Sequence, residues 1–149
     1  MHKLFYTFLF LSCGSFLSCQ TQETTTSIEK LSLIPKPNQL EILGGTFNLN
    51  KYTTVYCEND FKIAGDFLLK YIEKGAGFQL KIVSEKDADI VIKNDATQLS
   101  EGYSLTISKD NILIKANDSG GAFYAIQTLR QSMPFQLEKK GSFQKEKIK

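Results

Sequence analysis

The chain has 149 residues, 18 Lys and Arg against 16 Asp and Glu, and 42% hydrophobic content. That is enough for one domain with its own core and too little for two ordinary ones. Residues 19–134 carry 12 basic and 14 acidic side chains, net −2, and a basic excess of +3 sits only in residues 135–149. A nucleic-acid binder needs its basic face on the folded part, so no nucleic-acid partner is expected.

The first residues read as an address. Met1-His2-Lys3 is a short positive stretch, residues 4–11 (LFYTFLFL) are apolar, and polar residues interrupt them from Ser12. This is the pattern of a secretory signal, too short for a membrane-spanning helix. Phe16-Leu17-Ser18-Cys19 resembles a bacterial lipobox, which implies lipidation at Cys19 and a mature chain that starts there. Cys13 and a plain signal peptide cleaved nearby are the alternatives. The expected divisions are a lipoprotein signal over residues 1–18 and a polar tether over 19–30, rich in Thr and without periodicity. The expected location is the cell envelope, with a lipid anchor in a bacterial membrane on its periplasmic or surface side. Cys57 is then the cysteine left in the fold, and its place after Val55 and Tyr56 predicts a buried structural thiol.

The folded part is expected over residues 31–134. Pro35 and Pro37 impose an extended opening segment. Residues 39–43 alternate, Gly44-Gly45 is a hairpin turn signal, and residues 46–49 return. Residues 53–57 read as a strand. A helix capped by Asn59 or Asp60 runs to about Lys74, with Phe61, Ala64, Phe67, Leu68, Tyr71 and Ile72 at helical spacing, and Gly75-Ala76-Gly77 stops it. Residues 78–83 and 89–93 are further strands. The unbroken Ile90-Val91-Ile92 run predicts cover on both faces of the second.

Residues 103–108 and 112–116 alternate around Lys109-Asp110-Asn111 and read as a β-hairpin. Asp118 or Ser119 caps a last helix whose apolar stripe is Ala122, Phe123, Ile126, Leu129 and Met133, ended by Pro134. Gly120 and Gly121 in its first turn imply a neighbour that demands a small residue. The expected fold is α+β, a mostly antiparallel sheet with two helices packed on one face.

Little in these residues carries chemistry. His2 lies in the signal, so the folded part has no histidine for a Ser-His-Asp or Cys-His arrangement or for most zinc sites. There is no CxxC pair and no phosphate-cradling glycine motif. Catalytic residues, cofactor-binding residues and metal ligands are each expected to be none. Tyr103 and Phe123 can be read as sugar-stacking aromatics or as core, and their positions favour core.

Three segments carry a resemblance. They are Leu33-Ile34-Pro35-Lys36-Pro37 with the following Gly45-Thr46-Phe47, then Glu101-Gly102-Tyr103-Ser104-Leu105, then the stretch from Gly121 to Gln131 (GAFYAIQTLRQ). In that order and spacing they resemble the N-terminal domain of family 20 glycoside hydrolases, the β-N-acetylhexosaminidases. The resemblance implies a small zincin-like accessory domain that binds no zinc. A catalytic (β/α)8 barrel would follow it, where an adjacent Asp-Glu pair acts with the substrate's own acetamido group. This chain has no Asp-Glu dipeptide and no Trp for a sugar pocket, so no family catalytic residue maps onto it. Residues 135–149 are expected to be the truncated lead-in to a missing barrel, which is the expected partner. Tyr124, Gln127, Thr128, Arg130 and Gln131, on the flank of the last helix, are the expected interface with it. A stand-alone envelope lipoprotein that binds glycan or a partner protein, and the accessory domain of another glycosidase, remain as alternatives.

Overall fold

A computed structural model describes residues 31–42, 44–139 and 147–148. The elements in chain order are β1 (Phe47–Asn48), β2 (Thr54–Cys57), α1 (Lys62–Ala76), β3 (Lys81–Ile82), β4 (Ile90–Asn94), β5 (Tyr103–Ile107), β6 (Ile112–Ala116), α2 (Ser119–Ser132) and β7 (Lys147–Ile148). Short 3-10 turns precede α1 (Asn59–Phe61) and follow α2 (Phe135–Glu138).

Five strands form one sheet in the order β3-β2-β4-β6-β5. The α+β class holds, with two helices over a sheet, but the sheet is mixed and not mostly antiparallel. β2 pairs in parallel with β3 and with β4, and β4 with β6. Only the β5–β6 hairpin is antiparallel within this sheet. The cause is connectivity. α1 carries the chain from β2 back to the same end of the sheet before β3 begins, and a helical crossover yields parallel neighbours.

Register places Val55, Ile90 and Ile112 in one row and Ile92 and Ile114 in the next. All five are buried. They meet Ala64, Leu68 and Ile72 of α1 and Ala122, Ala125, Ile126 and Leu129 of α2 in a single core. The opposite face presents Tyr56, Val91 and Leu113, which are only half-buried. Val91 corrects the expectation that β4 is covered on both faces. Its run is apolar throughout, yet burial alternates along it because both helices lie on one side.

The hairpin expected over residues 39–49 is also corrected. Residues 39–42 are exposed and form no strand, while Phe47 and Leu49 are buried and β1 pairs with β7. Leu40 and Ile42 find no apolar surface to cover, so alternation alone does not order them. The strand expected over residues 78–83 shortens to β3 at the sheet edge. α1 starts after a 3-10 turn with no side-chain cap and ends at Gly77, whose φ of 76° closes the helix through a bond from its N–H to the Glu73 carbonyl. Cys57 is half-buried with its Sγ against Gly65 of α1, and burial pushes the thiol up from its ordinary pKa.

α2 is capped by Asp118. One carboxylate oxygen accepts from the Gly121 N–H at 2.8 Å, and the other accepts from the Glu101 N–H at 2.7 Å and the Ser100 hydroxyl at 3.1 Å. Bonds from the Glu101 and Gly121 amides hold this carboxyl below the usual carboxylate range. Glu101 sits in the left-handed region at φ 58°, so the same side chain that starts the helix also fixes the strained turn before β5. The small-residue requirement falls on Gly121, where a Cβ would collide with the Gly102 carbonyl oxygen.

Candidate docking face

The outer side of the helix pair carries the most organised set of side chains outside the core. Phe67 and Tyr71, one turn apart on α1, face Phe123 and Arg130 on α2. The Phe67 and Phe123 rings meet edge-on, with centroids 5.4 Å apart. The Arg130 guanidinium lies over Tyr71 at 4.5 Å and over Phe67 at 5.6 Å. Such stacking on aromatic faces suits the flat, delocalised guanidinium.

Glu138, in the 3-10 turn after α2, completes this layer. Its Oε1 accepts from Arg130 Nη2 at 2.9 Å and from the Tyr71 hydroxyl at 3.1 Å. Arg130 lowers the Glu138 carboxyl pKa, while burial and the acceptor Glu138 raise the Tyr71 phenol. Arg130 also donates from Nη1 to Gln127 Oε1 at 2.9 Å.

The five residues expected at an interface fall into two groups. Tyr124 is 47% exposed on α2 and makes no side-chain hydrogen bond among the described residues. Gln127, Thr128, Arg130 and Gln131 are engaged within the domain, Gln127 through its bond from Arg130. Thr128 shares a 2.6 Å hydrogen bond with the Tyr103 hydroxyl. Gln131 bonds the backbone of Ile34, and Arg130 pairs with Glu138. Tyr103 is half-buried against the core, as its alternation predicts.

Phe123 is corrected. It is 38% exposed and leaves the buried stripe, which runs instead through Ala122, Ala125, Ile126 and Leu129. Ala122, Ala125, Ile126 and Leu129 span an arc of about 100° towards the sheet, and Phe123 falls outside that arc. Its ring turns towards α1. Phe67, Tyr71 and Glu138 were absent from the expected interface. The signal for the first two is their one-turn spacing at the margin of the α1 stripe. Glu138 has no sequence signal, because the turn that carries it folds back on α1.

Among the described residues no group of His, Cys, Asp or Glu gathers that could hold a metal ion. None of the described helices is long and apolar enough to cross a membrane. Cys19 and the tether lie outside the described residues.

The described residues form a small α+β domain, with two helices on one face of a mixed five-stranded sheet and an aromatic and charged layer outside the core. The profile of glycosyl hydrolase family 20, domain 2, matches residues 30–149, and the chain belongs to this family. It is 31% identical over 116 residues to β-hexosaminidase B of Pseudoalteromonas piscicida, covering 78% of this chain and 15% of that protein. It is 26% identical over 134 residues to a β-hexosaminidase of Porphyromonas gingivalis, covering 83% of this chain and 17% of that one. The chain thus spans about one sixth of the length of these curated relatives. Its fold is that of a region of the family 20 β-N-acetylhexosaminidase from Streptomyces coelicolor, with a TM-score of 0.64, 23% identity, 70% of this chain and 22% of the other covered.

Proposed function

We propose that this domain is the non-catalytic N-terminal part of a β-N-acetylhexosaminidase. In the whole protein a catalytic domain would remove terminal non-reducing N-acetylhexosamine residues from glycans by substrate-assisted, retaining hydrolysis. The observation that carries this reading is the family match over residues 30–149 in a sequence that holds neither an adjacent Asp-Glu pair nor a Trp. Retaining chemistry of this kind needs a general acid beside a group that steadies the acetamido nucleophile, and no such pair is present in the sequence. The purified chain is expected to release no chromophore from an aryl N-acetyl-β-glucosaminide above the buffer blank. Activity that copurifies with the chain and scales with its concentration would sink the reading.

The partner of the helix face, on this proposal, is the catalytic domain. Phe123, Tyr124 and Gln127 form its contact surface, with Phe67 of α1 packed edge-on against Phe123. Contacts between domains of one chain are about 600–1,500 Å² and partly polar. The isolated chain should therefore self-associate weakly through this face. Sedimentation over a concentration series is expected to show a shift that Tyr124→Lys abolishes; a strict monomer at every concentration argues against a docking role.

The proposal extends to location: lipidation at Cys19 holds the domain at the cell envelope. The support is the apolar stretch ending in Leu17-Ser18-Cys19 and the polar tether after it. In a bacterial host, Cys19→Ala should abolish labelling by a fatty-acid analogue, and normal labelling of that variant would move the site elsewhere.

A further inference from the structure

Residues 31–42 and 44–46 run across the surface outside the five-stranded sheet. Among the described residues, their hydrogen bonds to the rest of the fold come from one residue, Ile34, and go to one side chain, Gln131. Ile34 N–H donates to Gln131 Oε1 at 2.9 Å, and Gln131 Nε2 donates to the Ile34 carbonyl at 2.9 Å. A primary amide is the side chain that can do both, since it presents a donor and an acceptor side by side, as a neighbouring strand would. Burial does not hold this contact in place, because the Ile34 side chain is 77% exposed. The preceding residue, Arg130, grips Glu138, where the chain leaves α2.

We propose that Gln131 is a positioning residue, a clasp that fixes the incoming segment to the last turn of α2. With Arg130 it gathers the incoming and outgoing polypeptide at one corner of the domain. The inference does not depend on the catalytic partner proposed above. The clasp lies at the last turn of α2, while Phe123 and Tyr124, nearer the start of the helix, are exposed. The clasp opens independently of the sheet, since both of its bonds are solvent-exposed and neither belongs to a ladder.

The test is amide hydrogen exchange of the full chain by NMR, with Ile34 N–H as reporter and Ile92 N–H in β4 as the core reference. In Gln131→Ala the Ile34 amide is expected to exchange roughly tenfold faster or more, as the loss of two hydrogen bonds requires. Ile92 protection should stay the same. Gln131→Glu keeps an acceptor for the Ile34 N–H but sets a carboxylate against its carbonyl, so it should fall between the two. Ile34 exchange within twofold of the parent in Gln131→Ala overturns the proposal. So does Ile34 exchange that follows Ile92 in the unaltered chain, because the segment would then open only with the whole domain.

Discussion

Gly121→Ala is expected to destabilise the domain by about 3 kcal/mol, the upper part of the range for overpacking a well-packed site. The added methyl would collide with the Gly102 carbonyl oxygen, and the Glu101 carbonyl carbon lies 3.1 Å away. Both are backbone atoms, so no rotamer change relieves the overlap. The backbone there is also pinned. Gly102 N–H bonds to the Leu99 carbonyl at 2.8 Å, and the Asp118 carboxylate holds Glu101 from the other side. Moving α2 away instead would lift Ala122, Ala125 and Ile126 from the sheet. Gly120→Ala is the control, since its Cβ would meet only side-chain atoms, at 3.3 Å or more. Alanine also favours the helix by about 1 kcal/mol over glycine, which offsets a tight contact. Thermal melts of the two variants should therefore separate by on the order of 10 °C or more. Equal melting temperatures would show that α2 does not approach β5 as described.

Leu68→Ala is expected to cost about 2–5 kcal/mol, the range for removing a buried leucine side chain and leaving a cavity. Leu68 is fully buried in α1 and belongs to the core that joins both helices to the sheet. Ile63→Ala, five residues earlier on the same helix, removes an exposed side chain and should change stability by less than about 0.5 kcal/mol. Urea unfolding of the two variants compares the two faces of one helix. A loss below about 1 kcal/mol for Leu68→Ala would mean that α1 covers the sheet with another face.

What the sequence disclosed and what it withheld follow one division. Local patterns were legible. The α2 cap at Asp118, the turn between β5 and β6 and the left-handed stop at Gly77 each depend on residues within a few positions of one another. Strand direction was not legible. Ile90-Val91-Ile92 reads the same in parallel and antiparallel sheets, and only the partner strands decide. Residues 39–42 show the converse failure: a good alternating pattern forms a strand only where a surface waits for its apolar side.

The docking face was half legible. Helical spacing put Tyr124 and Gln127 off the core stripe, and Tyr124 is exposed while Gln127 is half-buried. The same spacing could not reveal that Arg130 is used by Tyr71 and Glu138, or Gln131 by Ile34, because those partners lie 59, 8 and 97 residues away along the chain. Exposed helical positions are open to a partner only when nothing distant in the chain has claimed them.

The parallel pairings also govern when the molecule can assemble. β2 waits for β4, whose first paired residue comes 35 positions after its own, and β4 waits for β6. The inner face of these rows is covered in full only when α2 joins α1 over the sheet. A chain emerging from the ribosome would thus hold three apolar strands in readiness until residue 132 is free, and only then condense. Such a domain closes late and nearly all at once, so that any chaperone engaged with it would have to stay until α2 emerges.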